Sequence, residues 1–299
     1  MATVLITGAG GGFGARMART LRHAGHIVAG TLRDITGRNA AVAAELSALG
    51  VHVYDMDVTS DASVEHTIAQ VIAALGTPDV VVNNAGVGVL GVQEAFTATD
   101  LQRLFDINVF GAHRVTRAVT PHLRGRGSGL VVFVSSLLGR IAVPFYGPYN
   151  ASKWALEGLA ENYSLELSGF GVDVAIIEPG GFPTSFIPNL MTPSDHARVA
   201  ALQPLADAGT AFLTGFEQAL AANPAQDPQL VADALRDLVN APAGTRPFRT
   251  VVDNMGMGPH VAGYNTHLAQ ITAGIFGAFG TEAMLARRGN AVVADKATA

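Results

Sequence analysis

The stretch TVLITGAGGGFGARMARTL, residues 3–21, decides the fold class. Its first five residues, Thr3–Thr7, are a short β-branched apolar run that predicts a strand, and the Ala-rich sequence from residue 15 predicts a helix. The glycines between them let the backbone turn sharply and approach a diphosphate group, which the start of a helix favours. This order predicts the first unit of an α/β sheet with a nucleotide crevice.

The same alternation continues through the first two thirds of the chain. Further strands are predicted at 26–31, 52–55, 80–83, 130–135, 172–177 and 248–252. Helices are predicted near 15–24, 39–49, 64–75, 100–123, 149–168 and 228–239. The strand candidates are almost continuous apolar runs, as expected for strands buried on both faces of a parallel sheet. We therefore expect one doubly wound α/β domain over residues 1–258.

Two segments depart from this alternation. Residues 184–227 are rich in Ala, Leu and Pro, and they predict helices that cover one edge of the sheet as a substrate lid. Additional scaffold helices are the alternative interpretation of this segment. Residues 259–299 form a tail that the pattern does not place, and we expect it to pack on the domain or on a partner subunit.

The composition excludes several classes of protein. Of 299 residues, 49% are hydrophobic and 14% are charged, so the chain can bury a large core and is not intrinsically disordered. The net charge of −5, without any basic tract, argues against binding of nucleic acid or an anionic membrane. The absence of Cys excludes disulfides and thiolate sites, and the nine His show no metal-ligand spacing, so no metal site is predicted.

The sequence contains no predicted targeting or membrane-spanning segment. The amino terminus lacks the charged lead and apolar stretch of a signal peptide, so we expect a cytoplasmic protein. The longest stretch without Asp, Glu, Lys or Arg, residues 254–281, carries two His, Asn265, Gln270 and many glycines, and it does not predict a membrane span.

Two further motifs carry chemistry. The sequence NNAG, residues 83–86, follows a predicted strand, and ligands of open α/β sheets bind outside the carboxyl ends of the strands. Tyr149 and Lys153 are four residues apart and share one helix face, with Ser136 at the end of the preceding strand. A nearby ammonium favours the phenolate, so Lys153 is predicted to lower the pKa of Tyr149 towards neutrality. Ser136 is placed to hold a carbonyl oxygen.

These motifs together resemble the short-chain dehydrogenases/reductases in their compact single-domain branch, over residues 3–184 and 248–252. The resemblance implies a Rossmann-type fold with a helical lid after the sixth strand. Its catalytic residues fall on Asn108, Ser136, Tyr149 and Lys153. The predicted cofactor-binding residues are Thr7, Gly8, Gly12, Phe13, Gly14, Arg33, Asp57, Val58, Asn84, Ala85, Gly86, Tyr149, Lys153, Pro179, Gly180 and Thr184.

Within this family, the sequences TLRD, INVFG, PYNASKWALEGLAE and IEPGGF are most similar to the branch of the 17β-hydroxysteroid and retinol dehydrogenases. The resemblance implies that Tyr149 exchanges a proton with the reacting oxygen and that Ser136 binds this oxygen. It implies that Lys153 holds the nicotinamide ribose, and that Asn108 holds a water linking Lys153 to solvent. It also implies a homodimer or homotetramer.

The end of the second strand predicts the cofactor. Leu32 occupies the position where NAD-dependent relatives commonly carry an acid, and Arg33 offers a guanidinium for a 2′-phosphate. NADP(H) is therefore favoured, whereas NAD(H) remains possible if Asp34 is the ribose acid. Asp57 and Val58 resemble the family's adenine-contacting pair, although a turn cap is an equal interpretation of Asp57.

The expected function is the interconversion of a hydrophobic ketone or aldehyde with an alcohol. The apolar residues that suggest such a substrate are Leu137, Leu138, Val143, Phe145, Phe182, Phe186 and Ile187. Alternatives are an NAD-dependent alcohol or hydroxysteroid dehydrogenase, a nucleotide-sensing regulator without turnover, and epimerisation or dehydration of a sugar nucleotide. Neither the substrate nor the direction of the reaction follows from the sequence.

Overall fold

The computed structural model describes residues 1–289 and 292–293. Its strands are β1 (Thr3–Thr7), β2 (Ile27–Leu32), β3 (His52–Asp55), β4 (Val80–Asn83), β5 (Gly129–Val134), β6 (Val172–Pro179), β7 (Arg249–Val252) and β8 (Val292–Val293). They form one parallel sheet in the order β3-β2-β1-β4-β5-β6-β7-β8. The strand order reverses between β1 and β4, so the ligand crevice of such a sheet lies at their carboxyl ends.

Helices cover both faces of the sheet. They are α1 (Gly12–His23), α2 (Ala40–Ala48), α3 (Asp61–Leu75), α4 (Ala98–Phe105), α5 (Gly111–Arg126), α6 (Gly147–Ser168), α7 (His196–Ala201), α8 (Gln203–Ala221), α9 (Gln229–Asn240) and α10 (Gly258–Phe279). Helices α1, α2 and α9 pack on one face, and α3, α5 and α6 pack on the other. The predicted doubly wound Rossmann-type fold is confirmed.

The strand sequences explain this layering. Along β1, Val4 and Ile6 pack into the cluster with α1, whereas Leu5 packs into the cluster with α3 and α5. All three side chains are fully buried, because successive residues of a strand point to opposite faces and helices cover both. A continuous apolar run, rather than an alternating one, is therefore the pattern that this sheet requires.

The sequence predicts one continuous helix over residues 100–123, and this prediction is wrong. Helix α4 ends at Phe105, a π-helical turn spans Asp106–Phe110, and α5 begins at Gly111. At this point the backbone of α5 comes so close to Val58 that a Cβ on Gly111 would lie 2.8 Å from it. The extra residue of the π turn changes the direction of the side chains, as such turns commonly do at functional sites.

Other element boundaries differ from the prediction by one to three residues. The second strand begins at Ile27, the fifth spans Gly129–Val134, and the sixth continues to Pro179. Ser136 therefore lies two residues beyond its strand, at the start of a short 3-10 turn (Leu137–Gly139).

The segments at 184–227 and 259–299 are mostly helical. The first contains α7 and α8, and the second contains most of α10, a 3-10 turn at Glu282–Leu285 and β8, which pairs with β7. Within α10, only Gly258, Val261 and Asn265 are buried. Residues 290–291 and 294–299 of the predicted tail lie outside the described residues. In the part of the chain that the structure describes, no helix combines the length and apolarity needed to cross a membrane.

Candidate active site

The glycine loop between β1 and α1 needs glycine at defined positions. Gly8 and Gly12 have φ angles of 67° and 51°, in the left-handed region that side chains disfavour. A Cβ on Gly14 would overlap the carbonyl oxygen of Gly8, so the first turn of α1 packs directly on the loop. The backbone N–H groups at this helix start form a cradle for an anionic group.

Thr7 and Asn84 join the glycine loop to the NNAG sequence. The Thr7 hydroxyl accepts hydrogen bonds of 3.0 Å from the backbone N–H groups of both Asn84 and Ala85. In return, the Asn84 amide donates to the carbonyl of Thr7 at 2.9 Å and to that of Gly8 at 3.2 Å. These bonds fix the position of the glycine loop relative to the NNAG loop. The side chains of Thr7 and Asn84 therefore have a structural role at the crevice.

The four predicted catalytic residues come together at the carboxyl end of the sheet. Lys153 lies one helical turn after Tyr149 on α6, and its Nζ is 5.7 Å from the centre of the Tyr149 ring. Asn108 Oδ1 and Lys153 Nζ lie 3.3 Å and 3.8 Å from the point that a Cβ on Gly86 would occupy. All four residues are buried, with exposures between 1% and 8%.

The Asn108 side chain is held entirely by protein groups. Its oxygen accepts from the backbone N–H of Val87 at 2.9 Å, and its amide donates to the Val87 carbonyl and to the Ser152 hydroxyl. Asn108 thus fixes the chain just after Gly86 against α6. The expected water between Asn108 and Lys153 stays a prediction.

Ser136 faces Tyr149. Its hydroxyl accepts a 3.1 Å bond from the backbone N–H of Leu138 and lies close enough to the Tyr149 phenol to lower the pKa of that phenol. Lys153 donates a 2.8 Å bond from Nζ to the carbonyl of Val134, the last residue of β5. Strand β5 therefore positions both partners of the tyrosine.

Burial controls the protonation of this group. Burial raises the pKa of Tyr149 well above its usual value, and the hydrogen bond from Ser136 offsets only part of this rise. Burial also lowers the pKa of Lys153 to about 8, against the opposing charge of Glu157. The expectation that Lys153 brings the Tyr149 pKa towards neutrality is therefore not met in the protein alone. Desolvation is the largest of these effects on the Tyr149 pKa, and the neighbouring phenol of Tyr146 acts in the same direction.

A buried ionic cluster lies behind the catalytic residues. Arg140 and Arg249 hold Glu157, which follows Lys153 by one turn, and Glu178, which precedes Pro179 and Gly180 in the chain. Burial and the charge of Glu157 raise the Glu178 pKa, although both arginines act to lower it. Asn265 of α10 donates a 2.6 Å bond to Glu178 Oε2. The cluster thus connects α6, β6, β7 and α10.

Arg33, Asp34 and Asp57 lie beside the end of β2. Arg33 is exposed, whereas the Asp34 carboxylate accepts a 3.0 Å bond from the backbone N–H of Arg38 in its own loop. Asp57 caps its turn by accepting from the Thr59 N–H and hydroxyl. Burial acts to raise the Asp57 pKa, but these bonds and the charges of Arg33 and Arg114 lower it. The turn-cap interpretation of Asp57 is therefore correct, and an additional adenine contact stays a prediction.

The segment after β6 lines the crevice at the carboxyl end of the sheet. Gly180 donates its backbone N–H to the carbonyl of Val252 at 2.9 Å, and a Cβ there would overlap Asp253. Thr184 and Ser185 lie against the glycine loop, where Ser185 Oγ is 3.3 Å from a Cβ position on Gly11. Pro179, Gly180 and Thr184 thus line the same crevice as the glycine loop.

A largely apolar cleft of about 1250 Å³, including its open mouth, leads to Tyr149. Six of the seven apolar residues expected at the substrate side line it, and Phe145 does not. The φ angle of Phe145 is 68°, and its ring packs against Phe212 of α8. The role of this helix as a substrate lid stays a prediction. The lining residues that the sequence did not single out include Ile141, Tyr146, Phe212, Phe216, Met255 and Met257.

These residues fit a dinucleotide. The glycine cradle suits a diphosphate. A Cβ at Gly8 would overlap the backbone of Ala85, and one at Gly10 would overlap the side chain of Leu32, so the loop packs closely on both neighbouring segments. Phe13 packs edge-on against Phe182 at 5.5 Å between ring centres, beside the Tyr149 end of the cleft. No group of three or more His, Asp or Glu able to hold a metal ion occurs among the residues that the structure describes.

Comparison with known sequences gives relatives along most of this chain. The human protein named retinol dehydrogenase 8 is 35% identical over 253 residues, covering 82% of this chain and 79% of its own. Estradiol 17-beta-dehydrogenase 1 of Rattus norvegicus is 36% identical and covers 80% and 70%. The 3-ketodihydrosphingosine reductase of Bacteroides thetaiotaomicron is 36% identical over 62% of this chain and 66% of its own length.

Solved structures are similar over a comparable span. A short-chain dehydrogenase from Streptomyces avermitilis is 30% identical, with a TM-score of 0.72 over 94% of this chain and 98% of its own. An alcohol dehydrogenase from Thermococcus sibiricus, complexed with 5-hydroxy-NADP, is 25% identical, with a TM-score of 0.65 over 84% and 95%. The 3-ketoacyl-(acyl-carrier-protein) reductase of Brucella melitensis, complexed with NADH, is 26% identical, with a TM-score of 0.59 over 67% and 89%.

The family described as short chain dehydrogenase matches residues 2–193, which include the glycine loop, NNAG and all four predicted catalytic residues. Its members are oxidoreductases that act on alcohol and carbonyl groups with a nicotinamide cofactor. With the fold, the crevice and these relatives in agreement, this chain belongs to the short-chain dehydrogenase family.

Proposed function

We propose that this protein is an NADP(H)-dependent reductase of hydrophobic ketones or aldehydes. The observation that carries the proposal is the buried phenol of Tyr149, which lies beside Lys153 at the end of a largely apolar cleft. A phenol that keeps its proton at neutral pH is a proton donor, and a carbonyl oxygen needs a proton when it is reduced.

Each catalytic residue then has a defined task. The bound nicotinamide supplies the hydride. Tyr149 donates its proton to the substrate oxygen, while Ser136 hydrogen-bonds the same oxygen and stabilises the charge that develops there. Lys153 supplies a positive charge behind the phenol, and Asn108 positions the chain against α6. The apolar walls exclude water, which strengthens these electrostatic interactions.

The preference for NADP(H) rests on the loop after β2. Leu32 is buried against Gly10, so the site commonly used by a ribose-binding acid is filled by an apolar side chain. Asp34 is engaged with the backbone of its own loop, while the exposed Arg33 offers a planar fork of donors that suits a phosphate.

A titration of the purified protein with NADPH and with NADH tests this preference. We expect tighter binding of NADPH, and Arg33→Ala is expected to weaken NADPH about 10- to 100-fold while NADH changes less than twofold. Arg103→Ala, which removes an exposed arginine on α4, is the matched control. Tighter NADH binding by the wild type would make Asp34 the ribose acid and favour an NAD-dependent alcohol or hydroxysteroid dehydrogenase.

Turnover distinguishes this enzyme from a nucleotide-sensing regulator. A screen of apolar ketones with the preferred cofactor is expected to give stoichiometric cofactor oxidation and an alcohol product. Cofactor binding without consumption on any ketone would instead favour the regulator. We also propose a cytoplasmic location and a homodimer or homotetramer, which cell fractionation and light scattering test directly.

A further inference from the structure

The cleft contains a second phenol besides that of Tyr149. Tyr146 lies one helical turn earlier and is only 7% exposed, with its ring edge-on to Tyr149 at 6.4 Å between centres. On its other side the ring meets Phe212 of the lid helix α8 at 6.5 Å. Tyr146 lines the cleft, and its hydroxyl has no hydrogen-bond partner among the described residues.

The backbone before Tyr146 is held in an unusual conformation. Phe145 has a φ of 68°, a left-handed geometry that costs a non-glycine residue about 1 kcal/mol or more. Its carbonyl accepts a 2.9 Å bond from the N–H of Gly91, and its ring packs against Phe212. This turn directs Phe145 onto the lid and leaves the next side chain, Tyr146, in the wall of the cleft.

Other polar groups in the wall already have partners or are enclosed. The Asp253 carboxylate accepts from two backbone N–H groups at the start of α10. The Thr184 hydroxyl accepts from the backbone N–H of Phe186. The Ser135 hydroxyl is fully enclosed and makes no contact with water. Outside the catalytic and cofactor residues, Tyr146 is therefore the donor that the wall offers to a substrate.

We propose that Tyr146 is a substrate-positioning residue, whose hydroxyl donates a hydrogen bond to a second oxygen of an apolar ketone held at Tyr149 and Ser136. The substrate class is then a ring ketone that carries one further hydroxyl or carbonyl group. Burial and the carboxylate of Glu217 raise the pKa of Tyr146, so its hydroxyl remains a donor.

This inference rests on the proposed reductase function, and its test uses a series of ketones. The series consists of one bicyclic aromatic ketone and its analogues with a single added hydroxyl or carbonyl at each ring position. We compare kcat/KM for the wild type, Tyr146→Phe and the control Tyr264→Phe, which removes an exposed phenol on α10. Tyr146→Phe keeps the aromatic ring and its packing, so it removes only the hydroxyl donor.

We expect Tyr146→Phe to lower kcat/KM about 5- to 20-fold for at least one oxygenated analogue, and to leave the parent ketone within twofold. Tyr264→Phe is expected to change neither, and the affinity for the nicotinamide cofactor stays the same in all three proteins. A loss of the same size on every ketone, or no loss on any analogue, overturns the role of Tyr146. A wild type that reduces no member of the series overturns the reductase function itself.

Discussion

The catalytic end of the cleft and its lid are held in place in different ways. At the catalytic end, Asn108, Ser136 and Lys153 are buried, and each is fixed by a hydrogen bond to the backbone. In the lid, α8 has 19 residues, of which only Gly209 and Leu220 are buried. It meets the cleft through two phenylalanines, Phe212 and Phe216. For the proposed reductase, we therefore expect the chemical step to depend on rigidly held polar groups and substrate binding to depend on a few apolar contacts.

The largest expected effect falls on the catalytic end. Tyr149→Phe removes the proton donor, and we expect ketone reduction to fall about 1000-fold or more, since general acid catalysis contributes at that scale. The packing of the ring is kept, so NADPH affinity in a fluorescence titration is expected to stay within threefold. Retained turnover would show that another group donates the proton. The catalytic end of the cleft would then not be where we place it.

The pH dependence of reduction tests the same end of the cleft. The pKa of Lys153 is about 8, so its charge is present below pH 8 and is lost as the pH rises through this value. Because this charge stabilises the developing oxyanion, we expect kcat/KM to be level below pH 8 and to fall by up to tenfold per pH unit above it. The arginine of Lys153→Arg stays charged at all these pH values, so the residual kcat/KM of this variant should not fall above pH 8.

In the lid, the expected effect concerns binding. Phe216 lies against Gly181, where a Cβ would overlap its ring, and it lines the cleft. Phe216→Ala removes an apolar surface that the substrate would contact, but it removes no catalytic group. We therefore expect KM to rise about 5- to 20-fold and kcat to stay within twofold. Phe279→Ala, at a 77% exposed position, is the matched control. A fall in kcat without a change in KM would mean that the lid orders the catalytic groups.

The smallest expected effect concerns the base of the lid. The Asp100 carboxylate accepts from Thr97 in a capping box and from both the N–H and the hydroxyl of Ser194. We expect Asp100→Ala to lower the melting temperature by about 2–4 °C at pH 7, because the cap of α4 is lost. The control is Asp207→Ala on the exposed surface of α8.

The same variant has a defined pH response. Burial acts to raise the Asp100 pKa, but its hydrogen bonds from Ser194 and Thr97 lower it to about 2. The stabilisation is thus complete above the usual pKa near 4 and is lost as the pH falls through about 2. The difference in melting temperature between wild type and Asp100→Ala should narrow over this range. A constant difference would show that packing, and not the carboxylate, is responsible.

The sequence was sufficient for the sheet, the glycine loop and the placement of Lys153 beside Tyr149 on one helix, because these follow from short-range patterns. The role of Tyr149 as the proton donor stays a prediction. The π turn at Asn108 was not predicted from the sequence, which does not show the bonds that this side chain makes to Val87, 21 residues away. The direction of the Tyr149 pKa was missed because residue spacing shows which charge is near but not how deeply a group is buried. Phe212 and Phe216 were missed because their apolar spacing is the same as that of ordinary core residues.

The buried ionic cluster has a practical consequence for protein engineering. Removing the chain beyond residue 258 would take away the amide of Asn265 from Glu178 Oε2, together with the helix that covers this carboxylate directly before Pro179 and Gly180. Glu178 would keep its ion pairs with Arg140 and Arg249, but it would lose a hydrogen bond and its cover from water. The shortened protein would therefore be altered directly beside the crevice in which we expect the nicotinamide to bind. Any effect of such a deletion on oligomerisation has to be separated from damage to the catalytic centre, for which the single substitution Asn265→Ala is the cleaner comparison.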